Sequence, residues 1–165
     1  MKKISTIFLQ VVVVLVGIVA LAVMIRFPLT EGRAANLDLF SIYADPFIIY
    51  GYLASIAFFV ALYQAFKLLG YIGQDKAFLF NSVKALRNIK YCAIVLGVLI
   101  VIAAIYIRIS FALRAEGVQD DDPAGFIAVS IVATFISIVV ATAAAVFEKT
   151  LQSAVDIKSG NDLTV

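Results

Sequence analysis

The side chains best suited to chemistry in this chain are cations gathered in one connector. Lys76, Lys84, Arg87 and Lys90 follow Lys67 closely, with Asp75 the only acid between positions 67 and 90. Such a stretch resists translocation and offers a basic surface to a cytoplasmic partner, so these four are the candidate partner-binding residues. A second set consists of polar groups in or beside apolar runs: Tyr63, Gln64, Lys67, Arg108 and Glu148. Polar groups at membrane depth are expensive and mark hydrogen bonds, ion pairs or a ligand route. Glu148 is expected near the level of Lys67 and the basic connector, where a salt bridge competes with proton transfer as its role. Arg108 is read as snorkelling or pairing with loop acids, the other reading being an anionic ligand. Tyr63 and Gln64 are read as interhelical or interfacial hydrogen-bonding groups, against a small-molecule pocket. Asp120, Asp121 and Asp122 invite a cation or a cationic peptide but lack the spacing and glycine turn of an EF-hand loop, so helix capping and solvation are the plainer reading.

The remaining inventory is narrow. There is no histidine, and Cys92 is the lone cysteine, which excludes an intrachain disulfide, histidine acid–base catalysis and Cys/His metal centres. No glycine-rich phosphate loop, serine elbow, HExxH or helix-turn-helix pattern occurs. No catalytic residue, cofactor or metal ligand is therefore assigned, and direct nucleic-acid binding is not expected from a net charge of +2.

The elements that must position these groups are membrane spans. With 64% apolar and 15% charged residues, the chain lies far from the ~25% charge of soluble domains. Four apolar runs are predicted as helical membrane spans at approximately 4–25, 47–69, 89–111 and 123–147, within a single membrane domain covering 1–165. The first competes with a secretory signal peptide through Ala20, Leu21 and Ala22, but is longer than a usual apolar region of ~7–15 residues. Residues 26–46 form an outer loop in which Leu39, Phe40, Ile42 and Tyr43 suit a short surface helix. Asp45 and Pro46 read as the cap and first residue of the next span. Asp122 and Pro123 repeat that signal before the fourth.

Between spans two and three, Leu79, Val83, Leu86 and Lys90 share a stripe opposite Asn81, Lys84 and Asn88, predicting a short interfacial helix that turns up into the membrane. Ala57, Ala61 and Ala65 in span two, and Ala133, Ser137, Ala141 and Ala145 in span four, form small-residue stripes expected to pack on each other. Past Glu148 the fourth helix is expected to continue as an amphipathic extension to a stop at Ser159 and Gly160. The fold class is thus all-α: an integral membrane four-helix bundle with an inner amphipathic connector and a helical C-terminal extension.

Nine Lys/Arg residues fall on the termini and connector, and four (Arg26, Arg33, Arg108, Arg114) on the outer loops and their flanks. The bias places both termini in the cytoplasm and the protein in the bacterial inner membrane.

The segments FFVALYQAFKLLGYIGQDKAF at 58–78, SVKALRNIKYCAI at 82–94 and LQSAVDIKSGNDLTV at 151–165 resemble the uncharacterised bacterial membrane family catalogued as domain of unknown function 2975. The likeness covers essentially the whole chain. It departs after Tyr71 and Ile72, where Gly73 and Gln74 stand in place of an acidic residue. The resemblance implies a four-helix membrane protein, often encoded beside a small helix-turn-helix regulator, and brings no established catalytic set. The expected function is a non-enzymatic regulatory, sensory or immunity-like membrane protein. Its partners would be membrane lipids, a cytoplasmic regulator of that kind, and an extracellular peptide or lipid ligand. The alternative is a small transporter or amphiphile-binding bundle.

Overall fold

The computed structural model describes residues 2–30, 42–74, 76, 79–113 and 124–162. Four helices account for nearly all of them: α1 (Lys2–Thr30), α2 (Pro46–Gly73), α3 (Phe80–Ala112) and α4 (Ala124–Asp162). Each is long and apolar enough to cross a membrane. In lipid the backbone must satisfy itself, which makes helix the default even for the β-branched run of α1.

Every helix outruns its apolar core. α1 continues past Arg26 to Thr30 with Pro28 inside it, where a loop was expected from residue 26. Proline has no N–H to give to the carbonyl four residues back, which is that of Met24. The hydroxyl of Tyr52 in α2 donates to the Met24 carbonyl instead, at 3.1 Å, so the gap in one helix is filled from its neighbour. At the start of α2, Asp45 caps the helix as its sequence position suggests: Oδ1 accepts from the Phe47 N–H at 2.7 Å, and Pro46 opens the first turn. The proposed interfacial helix of the connector is not a separate element. α3 starts at Phe80 and runs unbroken into the membrane, because nothing between Asn81 and Lys90 interrupts helical geometry. The tail likewise passes Ser159 and Gly160 and ends at Asp162; a glycine near a helix end weakens it by only ~1 kcal/mol and need not stop it. Leu39, Phe40, Asp120 to Asp122 and Pro123 lie outside the described residues.

Extensive packing runs between chain neighbours: α1 on α2, α2 on α3 and α3 on α4, the last being the largest interface. The small-residue stripe of α4 therefore faces α3 rather than α2. A Cβ built on Gly97 of α3 would stand 3.3 Å from the Ser137 Cβ, so that stripe is already occupied by the closest helix. α2 and α4 meet near the start of each helix, where the rings of Phe47 and Phe126 lie edge to face with centroids 5.9 Å apart. The densest core is the first three turns of α3, where Ser82 and Val83 are 0% and 1% exposed and Ala85 and Leu86 are buried with them.

Candidate functional site

Glu148 is the first charged residue of α4 after an uninterrupted uncharged run from Ala124 to Phe147. Arg87 and Lys90 stand three residues apart on α3 and so share a helix face. The antiparallel packing of α3 and α4 brings all three to one level. Arg87 Nε donates to Glu148 Oε1 at 2.7 Å, and Lys90 Nζ donates to Oε2 at 2.6 Å. The carboxylate is thus held at both oxygens by two different cations, the strongest arrangement open to it. Glu148 is only 8% exposed as a residue. The side chains of Arg87 and Lys90 remain 48% and 22% exposed. Lys90 Nζ also lies 4.9 Å from the centroid of the Tyr91 ring. Two cations on one carboxylate leave the cluster with one net positive charge.

The start of α3 is fixed where the cluster needs it. Leu79 occupies the cap position without a side-chain capping bond. Ser82 instead donates from its backbone N–H to the Leu79 carbonyl at 2.9 Å and from Oγ to the Lys76 carbonyl at 3.3 Å. Its burial, with that of Val83 and Leu86, orients the first turns of α3.

From Lys90 a groove of about 620 Å³ runs between α3 and α4 as far as Ile102 on one side and Thr134 on the other. Small residues make it possible: Ala93 and Gly97 on α3, Ser137, Ala141 and Ala145 on α4. The hydroxyls of Thr134, Ser137 and Thr142 donate to the carbonyls four residues earlier, at 2.7, 3.0 and 2.8 Å. With these groups satisfied within α4, the groove presents carbon to whatever fills it, and Lys90 is the charged residue of its lining.

The other singled-out residues lie apart from this cluster. Tyr63 is 59% exposed, with Lys67 Nζ 5.4 Å from its ring centroid one turn along α2. Gln64 is half-buried, Arg108 is exposed, and Lys76 and Lys84 are exposed on the connector side. Glu148 thus meets Arg87 and Lys90, and no ion pair joins it to Lys67. The groove has only a weak signal in the sequence, the four-residue spacing of Ala93 and Gly97, which repeats that of the small residues in α2. Tyr50, whose hydroxyl donates to the Leu99 carbonyl of α3 at 2.7 Å, is a further interhelical contact, signalled in the sequence only by a hydroxyl in an apolar run. Among the described residues no three His, Cys, Asp or Glu side chains gather as a metal ion would require.

The family model described as "Protein of unknown function (DUF2975)" matches residues 4–165, and the chain belongs to that family. Among curated proteins it is similar to the uncharacterized membrane protein YoaS of Bacillus subtilis (strain 168), at 45% identity over the full length of both chains. No solved structure matches it.

Proposed function

We propose that this membrane protein is non-enzymatic and regulatory, sensory or immunity-like, passing the state of its membrane helices to a cytoplasmic partner. One observation carries the reading: α3 and α4 are clamped through Glu148 at the point where α4 leaves its uncharged run, and α4 then continues as one helix to Asp162. The continuation reaches ~21 Å beyond Glu148 at 1.5 Å per residue. A shift of α4 within the bilayer is therefore delivered to the tail as a rigid-body movement, and the ion cluster sets its resting position. Lys76 and Lys84, exposed beside that end, provide the docking charge, whereas Arg87 and Lys90 serve the clamp. The positive-inside bias puts this end in the cytoplasm of a bacterial cell, with both termini. A small helix-turn-helix regulator is the partner to test, and a peptide or lipid at the outer end the signal.

The test is retention of such a regulator, encoded beside the gene, on the full-length protein in mild detergent. Wild type should retain it, and Lys76→Glu with Lys84→Glu should lose it while the helices melt unchanged. Absence of the regulator from both samples overturns the reading.

The transporter alternative has less support. Tyr63 and Arg108 are exposed, and neither they nor Gln64 line the groove between α3 and α4.

A further inference from the structure

We propose that the groove between α3 and α4 is a binding site for an anionic glycerophospholipid of the surrounding bilayer, with one acyl chain along the groove and the phosphate at Lys90 and Arg87. The site does not depend on the regulatory reading. Its apolar length follows from the lining: Lys90 to Ile102 on α3 covers ~18 Å, close to one leaflet of a ~30 Å hydrocarbon core. A chain entering at the Lys90 end would run to about the bilayer midplane and stop.

The chemistry of the walls selects the ligand. Thr134, Ser137 and Thr142 give their hydroxyl protons to their own helix, so the walls keep three hydroxyl oxygens as acceptors among aliphatic side chains and suit hydrocarbon better than a sugar, nucleotide or peptide backbone. At the inner end the selection reverses. Lys90 uses one of its three donors on Glu148 at 2.6 Å, and Arg87 engages Oε1 through Nε alone, leaving the terminal guanidinium nitrogens without a partner among the described residues. Glu148 neutralises one of the two charges, so an approaching phosphate meets a net positive pair at headgroup depth. Exposed Lys84 and Lys149 add to that field.

Charge and lining together argue for a lipid as occupant: the groove is walled mainly by aliphatic carbon and carries Lys90 at one end, so a ligand with a long hydrocarbon part and an anionic end matches it at both places.

The experiment is native mass spectrometry of the full-length protein released from micelles containing equal palmitoyl-oleoyl phosphatidylglycerol and palmitoyl-oleoyl phosphatidylcholine. Wild type should retain the anionic lipid over the zwitterionic one by roughly fivefold, as for the one net positive charge that Glu148 leaves on the Lys90 and Arg87 pair. Lys90→Gln should bring the ratio near one with phosphatidylcholine retention unchanged, and Lys90→Arg should restore it. Thr142→Phe, which fills the groove from its exposed rim, should lower retention of both lipids, and Ala145→Phe provides an independent plug if the first variant melts early. Equal retention of the two lipids by wild type overturns the proposal. So does wild-type lipid retention by either plugged variant once its helical melt is shown intact, or a dimer that carries no lipid.

Discussion

The two ends of the helix row are held together by different physics. Where α1 meets α2, most side chains of α1 face outward, and the contact rests on close approach and on polar groups reaching backbone carbonyls. A Cβ on Gly17 would meet Leu62 Cδ2 at 3.1 Å, Gln10 Nε2 donates to the Phe66 carbonyl at 3.2 Å, and Tyr52 reaches Met24. Where the start of α3 meets α4 beyond its uncharged run, a buried apolar cluster and a three-residue ion cluster stand side by side. Inside lipid no hydrophobic force distinguishes a neighbouring helix from an acyl chain, so association falls to packing and hydrogen bonds. At the boundary water is available again, apolar burial regains its force, and charges can be paired without full desolvation. The first turns of α3 are built like the core of a soluble protein, whereas α1 is built for the membrane alone.

Substitutions that break this contrast should differ in size accordingly. The largest effect is expected from Gly97→Leu, which forces α3 away from Ser137 and should cost about 3 kcal/mol in detergent unfolding, the upper range for overpacking. Glu148→Ala comes next: loss of the Lys90 bond alone should cost about 2 kcal/mol, typical of a hydrogen bond to a charged group. Half-exposed Arg87 adds a part that shrinks as salt is raised. On the other side of the molecule the changes should be smaller. Gly73→Ala places a Cβ 2.9 Å from Thr6 Cγ2 and should cost about 1 kcal/mol, because α1 has little else to hold it and can shift. Gln10→Leu should cost only about 0.6 kcal/mol, the average for interhelical hydrogen bonds in a membrane. If Gln10→Leu proved as costly as Glu148→Ala, the contrast between the two regions would collapse.

Much of the fold was legible in the residues. The uncharged runs marked all four helices, and Asp45 with Pro46 marked the start of α2, because cap chemistry is local. The continuation of α1 past residue 26 has no local signal: Pro28 is tolerated because Tyr52, 24 residues later, supplies the missing donor, a compensation no local pattern carries. Partner choice was the least legible feature. Small residues at intervals of four say that a helix will approach closely but not which one, and Ala57, Ala61 and Ala65 carry the same pattern as Ala93 and Gly97. The ion cluster was half visible. Glu148 belonged at the level of the basic connector by counting from the membrane, but choosing Arg87 and Lys90 over Lys67 required the rotation of α3 about its axis.

The central claim is that Glu148 joins α4 to α3 through Lys90 and Arg87, and a charge-exchange cycle tests it most directly. Lys90→Glu and Glu148→Lys would be made singly and together, and unfolding followed in the same detergent at low salt. Each single variant should be destabilised, and the exchanged pair should recover at least about 1 kcal/mol relative to the sum, a coupling characteristic of residues in contact. Additivity of the two changes to within ~0.5 kcal/mol, the behaviour of independent sites, would contradict it.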